Sequence, residues 1–127
     1  MYGKQYITTV ALEVAFYRTP AGSEPVREWL LNMTKAIRGT IGSDIGMVQD
    51  KWPVGKPLVD GFGTGLWEVR STHDKIEYRV LFGIVGGTMY LLHGVVKKST
   101  TTPVADVRLA RERLAEVLAK EKSTKKT

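Results

Sequence analysis

The sequence predicts a single α+β domain: an antiparallel sheet, made of an N-terminal strand and a three-stranded meander, with two N-terminal helices and a C-terminal helix. Three observations predict it. Four segments alternate apolar and polar residues with period two, three others repeat apolar residues every three or four positions, and Gly86-Gly87 is a tight hairpin turn. With 127 residues, 43% of them hydrophobic, the chain suits one domain, and folding at this size removes roughly two-thirds of the unfolded chain's accessible surface.

In chain order, Tyr6 to Arg18 alternates, with Val10, Leu12, Val14 and Phe16 on one side, and reads as the first strand. Ser23, followed by Glu24 and Pro25, predicts an N-cap for a helix that carries Val26, Trp29, Leu30 and Met33 on one face. Thr34 caps a second helix reaching about Asp50, its apolar face formed by Ile37, Ile41, Ile45 and Val48. Gly39, Gly42 and Gly46 each weaken that helix by about 1 kcal/mol relative to Ala, so tertiary packing must hold it. Trp52 to Gly65, rich in Gly and Pro, reads as a loop. The meander is then Leu66 to Ser71, Ile76 to Val85 and Met89 to Lys97, joined by Thr72 to Lys75 and by Gly86-Gly87. Thr102-Pro103 predicts a cap and first helical position for a last helix lined by Val107, Ala110, Leu114, Val117 and Leu118. The helices are expected to cover one face of the sheet, and residues 122–127 to form a disordered basic tail.

The absence of cysteine excludes a disulfide framework, a thiolate metal site and a cysteine nucleophile. No apolar stretch reaches the roughly 18 residues a membrane span needs, and Met1 to Val10 lacks a signal-peptide layout, so a cytoplasmic protein without membrane contact is expected. Charge is uneven along the chain. Residues 1–96 carry ten Lys/Arg against nine Asp/Glu, whereas residues 97–127 carry nine against four. Such an imbalance points to a polyanion, either nucleic acid or an acidic protein segment, or else to a solvated helix face.

Side chains alternate sides along a strand, so Glu68 and Arg70, Glu77 and Arg79, and His93 and Lys97 all fall on one side of the meander. A one-residue bulge would change that assignment. Arg70, Arg79, Lys97 and Lys98 are expected to build a basic concave surface able to reach one phosphate. The plainer alternative is cross-strand ion pairing, Glu68 with Arg70 and Glu77 with Arg79, each pair contributing well under ~1 kcal/mol. A lone histidine in the apolar run around His93 is more often structural than catalytic, and no carboxylate that would orient it is evident nearby. His73 lies in a connection without a second histidine, so no metal or cofactor is expected. Gly61 to Gly65 lacks the lysine and following helix of a phosphate-binding loop.

The segments "GLWEVR", "YRVLF", "LLHGVVKKSTTTP" and "DVRLARERLAEVL" together resemble the RelE/ParE superfamily of toxins from type II toxin–antitoxin pairs. With "VQDKWPVGKPLVDGFGTGLWEVR", the resemblance is closest to the HigB-like branch often described as phage-derived, and covers roughly Pro25 to Leu118. It implies a curved antiparallel sheet with helices on one side. It also implies a metal-independent, ribosome-dependent mRNA interferase, in which a ribose 2′-hydroxyl attacks the adjacent phosphate. Its partners would be mRNA, the ribosome and a helix-turn-helix antitoxin of the HigA type, with DNA contacted only through the antitoxin complex.

Carried over from that resemblance, Arg70 and Arg79 clamp phosphate, Lys97 and Lys98 are the basic pair ending the last strand, and His93 is the acid–base candidate, with Glu68 a second. The chain departs from some relatives by having Thr102-Pro103-Val104 where they place a tyrosine, and Glu68 where others have a strand lysine. The alternative class is a non-catalytic ParE-like toxin that poisons DNA gyrase, in which the basic helix is a protein contact and His93 is structural.

Overall fold

The computed structural model describes residues 11–97 and 101–125. Its elements run β1 (Glu13–Phe16), α1 (Pro25–Leu31), α2 (Lys35–Lys51), β2 (Val59–Gly63), β3 (Leu66–His73), β4 (Ile76–Val85), β5 (Thr88–Lys97) and α3 (Val104–Lys125). One sheet has the strand order β1-β5-β4-β3-β2, antiparallel throughout except that β1 runs parallel to β5. The sheet is therefore mixed and five-stranded, larger than the four-stranded antiparallel sheet expected. The chain leaves β1 through two helices before it reaches the meander, and a strand followed by such a crossover is free to lie parallel to its neighbour.

The additional strand, β2, lies inside the stretch read as a loop. Gly61 and Gly63 erase its alternation, and the register shifts between them. At Gly61 a Cβ would stand a tight 3.1 Å from Trp67 Cδ1, whose indole lies across the strand and would have to give by a few tenths of an ångström. β1 is shorter than predicted, and residues 6–10 of the expected strand lie outside the described residues. The Gly86-Gly87 turn is as expected, both residues having positive φ and Val85 pairing with Thr88.

Caps differ in detail. The Thr34 hydroxyl accepts from the Ile37 N–H at 3.2 Å, as predicted. The N-cap of α1 falls one residue later than predicted, at Glu24, and Ser23 is bonded instead to Thr19. Helix α3 starts at Val104, its first carbonyl acceptor being Pro103, which releases the Thr102 hydroxyl for other use. The helix continues to Lys125, so residues 122–125 extend it where a tail was expected. Leu118, assigned to its apolar face, is 50% exposed.

Helices lie on both faces, not one. Against the first face α1 and α2 bury Val26, Ile41, Ile45 and Val48 on Val69, Val80, Phe82 and Leu91. Trp29 closes on β5 at Gly94, where a Cβ would stand 2.4 Å from the indole. On the second face, Ala110 and Leu114 of α3 pack on Leu66, Leu81 and Leu92, a cluster that also contains Tyr17. Polar contacts fix α3 in place. Arg113 donates to the Leu92 carbonyl at 2.7 Å with its guanidinium 5.1 Å over the Tyr17 ring, and the Tyr17 hydroxyl donates to Glu116 at 2.7 Å. Arg111 reaches the β2–β3 turn, donating to the Phe62 carbonyl at 2.8 Å. Two of the basic residues that made the C-terminal segment look like a polyanion surface therefore hold the helix to the sheet.

Leu91 and Leu92 belong to different cores because β5 carries a bulge: Leu81 pairs with His93, yet Phe82 pairs with Leu91. Uninterrupted alternation would put Leu91 with His93 and Leu92 on the opposite side. The bulge reverses both, while His93, Val95 and Lys97 keep their predicted side.

Gly42 is exposed, with nothing within 4 Å of where a Cβ would stand, whereas Gly94 is pressed against a rigid indole. We expect Gly42→Ala to stabilise the protein by about 0.5–1 kcal/mol and Gly94→Ala to destabilise it by about 1–3 kcal/mol, measured by urea denaturation. Burial, reinforced by the Glu116 carboxylate, raises the Tyr17 phenol above its ordinary pKa of 10.0. A raised folded-state value means stability that is full below pH 10 and is lost as pH climbs through the folded value. Tyr17→Phe should cost about 1 kcal/mol at neutral pH and flatten the alkaline decline of the melting temperature.

Candidate functional site

On the α3 side of the meander, polar residues interrupt the second core at one end of the sheet. Arg70 and Arg79 are register partners on β3 and β4, and Glu68 and Glu77 flank them on the same face. The Glu68 carboxylate, 1% exposed, takes one hydrogen bond from Arg70 Nε at 2.9 Å and another from Arg79 Nη1 at 3.2 Å. Its other oxygen accepts from the Thr102 hydroxyl at 2.6 Å, and that hydroxyl accepts in turn from Arg79 Nη1 at 2.8 Å. Arg79 Nε also bonds Glu77, and Arg70 Nη2 bonds Asp60 of β2 at 2.8 Å. Burial opposes charge on the Arg70 guanidinium, but the hydrogen bond and charge of Glu68, with Asp60 and Glu77, outweigh it and raise its pKa above the usual arginine value.

Next to this cluster His93 Nε2 lies 2.7 Å from Oδ1 of Asp106 in the first turn of α3. His93 pairs with Leu81, two residues from Arg79, so a diagonal of roughly 7–8 Å separates the histidine position from that arginine. The side chains of His93 and Asp106 are 19% and 28% exposed and that of Arg70 is 26% exposed. These three open to solvent, whereas Arg79 and Lys97, 2% and 5% exposed, lie beneath.

The candidate residues Glu68, Arg70, Arg79, His93 and Lys97 therefore share one face, as strand alternation predicts, while Lys98 lies outside the described residues. The expected open basic surface is not what they form. Carboxylates alternate with the cations, and the segment leading into α3 covers Arg79, because Thr102 is drawn down onto Glu68 instead of capping the helix. The lack of an orienting carboxylate for His93 is also corrected by Asp106. Reading the sequence missed three participants. Asp60 was hidden in the unrecognised β2, Thr102 was assigned to a cap, and Asp106 carried only the ordinary signal of an acid in a first helical turn.

His73 ends β3 instead of sitting in the connection, with Nδ1 3.1 Å from the Thr40 hydroxyl on the opposite face. Among the described residues no three His, Cys, Asp or Glu side chains form a metal-binding group, and no helix is long and apolar enough to cross a membrane. A groove of about 680 Å³ lies between the end of β1 and the C-terminal half of α3, lined by Phe16, Tyr17, Tyr90 and Val117 among others. It holds neither the clustered arginines nor His93, and its charged lining is Arg18, Glu116, Lys120 and Glu121.

A family model described as "Phage derived protein Gp49-like (DUF891)" matches residues 28–115, a span that contains β2 to β5, the charge cluster and both His93 and Asp106. No curated protein matches the chain.

The burial of Arg79 makes it a structural residue whatever else it does. Arg79→Ala takes one of two guanidinium partners from the buried Glu68 carboxylate, leaving Arg70 and Thr102, and should cost about 3 kcal/mol, against a smaller loss for Arg70→Ala, whose guanidinium is partly solvated. Paired urea titrations of the two variants test this ordering.

Proposed function

The chain belongs to the phage-derived Gp49-like family, part of the RelE/HigB-like toxins and commonly toxins of toxin–antitoxin systems, and from this premise we propose that it is a ribosome-dependent mRNA interferase. The observation that supports the reading most is the His93–Asp106 pair, open to solvent beside a guanidinium that stays charged. Cleavage by 2′-hydroxyl attack needs a group to take the hydroxyl proton, a cation to stabilise the phosphorane and a group to protonate the leaving 5′-oxygen. His93 serves as the acid–base group and Arg70 contacts the phosphate. Arg79, Glu68 and Thr102 hold Arg70 in place, and Lys97, with Lys98 next to it in sequence, adds positive charge. With one well-placed acid–base side chain and a charge-balanced cluster, the protein depends on the ribosome to align the messenger, a contribution worth several kcal/mol. A helix-turn-helix antitoxin of the HigA type neutralises it, and the protein acts in the cytoplasm without cofactor or metal.

One observation favours a second reading. Arg79 is 2% exposed and bonded to Glu68, Glu77 and Thr102, which suits a ParE-like gyrase poison whose strand arginines are purely structural.

Toeprinting on translating ribosomes with purified protein should show messenger cut in the decoding site, with naked RNA cut poorly. His93→Gln should slow that cutting by roughly 10²-fold. Intact messenger together with altered supercoiling and an SOS response would establish the gyrase reading instead.

A further inference from the structure

Histidine exchanges protons through whichever ring nitrogen its surroundings leave free, and the hydrogen bond at the other nitrogen decides which one that is. At His93, Nε2 lies 2.7 Å from Asp106 Oδ1. An ionised carboxylate only accepts hydrogen bonds, so Nε2 carries the hydrogen and the lone pair of the neutral ring lies on Nδ1. An acidic residue in a first helical turn is ordinary where the helix dipole alone is concerned. The dipole does not account for the aim of this one, across to a strand residue 13 positions earlier.

The geometry points to Asp106 as a positioning residue for proton transfer: it fixes the His93 ring in the Nε2–H form and stabilises the imidazolium that forms when Nδ1 takes a proton. The inference rests on the ribonuclease reading above and adds α3 to its machinery. Thr102, four residues before Asp106, bonds Glu68 and Arg79, so the start of α3 orients the acid–base group and the arginine cluster together. A residue acting in this way affects the rate of the bound complex and leaves ribosome binding alone.

Two measurements test it. In the free protein, ¹⁵N NMR of labelled histidine, at a pH where the ring is neutral, should show His93 in the Nε2–H form in wild type and in both forms in Asp106→Ala. In single-turnover cleavage on programmed ribosomes, Asp106→Ala should lower the saturated rate roughly 10–100-fold, with the half-saturating ribosome concentration changed less than about twofold. Asp106→Glu should recover part of the rate. His93→Gln combined with Asp106→Ala should be no slower than His93→Gln alone, because a residue acting only through His93 has nothing left to orient. Mixed tautomers in wild type, additive losses in the double variant, or a loss confined to half-saturation would overturn the inference. An active wild type with an equally active Asp106→Ala would overturn it alone, whereas a wild type that cuts nothing would remove the ribonuclease reading with it.

Discussion

A carboxylate buried to 1% exposure sits between two strands, and the charged end of the molecule is arranged to satisfy it. Glu68 left unpaired would carry a desolvation penalty of several kcal/mol. Arg70, Arg79 and Thr102 remove that penalty, and each brings another element with it. Arg70 joins β3 to β2 through Asp60, Arg79 joins β4, and Thr102 brings down the approach to α3. A cluster of this kind is weak evidence for net stability, since an apolar core of equal volume often does as well. What it does provide is geometric definition: two guanidinium planes and a hydroxyl can meet one carboxylate in very few ways.

That definition bears directly on chemistry. The apolar part of the second core holds α3 along its middle, through Ala110 and Leu114, while the polar contacts of Thr102 and Asp106 set its leading end. Arg79 and Lys97 are buried there, Arg79 beneath Thr102, while His93, Asp106 and Arg70 stay at the boundary with water. Much of the basic charge that would suggest a nucleic-acid surface is directed inward, with Arg111 and Arg113 bonded to backbone carbonyls. Members of the chain's family are commonly toxins of toxin–antitoxin systems, and in this one an imidazole and a guanidinium stand together at the boundary with water.

The sequence made the meander, the Gly86-Gly87 turn and the α2 cap legible because each depends on local signals: alternation, positive φ at glycine, a threonine at the right position. It also brought Glu68, Arg70, Arg79, His93 and Lys97 to one face, since strand alternation is a short-range rule. What stayed hidden depends on partners far away in the chain. β2 is a strand only because β3 pairs with it and Trp67 covers Gly61. Helix α3 chose the second face because Leu66, Leu81 and Leu92 are apolar there, and the exposure of Arg79 was decided by Thr102, 23 residues away. No window of sequence contains either fact.

The extra residue at Leu92 changes the parity of β5. Before it, odd-numbered positions face α1 and α2; after it, they face α3. One strand can thus supply Leu91 to the first core and both Leu92 and His93 to the second face, a distribution that no regular strand allows. The Leu92 carbonyl, displaced from the regular ladder, is the acceptor for Arg113, so the irregularity itself is bonded to the helix it serves. The irregularity also absorbs its own length: without Leu92, Leu91 and His93 would be consecutive and still opposite Phe82 and Leu81, so the imidazole would keep its side while the second core lost a leucine. The strand is thus one residue longer than its partner needs, and that surplus goes to α3: an apolar contact from the Leu92 side chain and an acceptor from its carbonyl, both in a place where a regular ladder would offer neither.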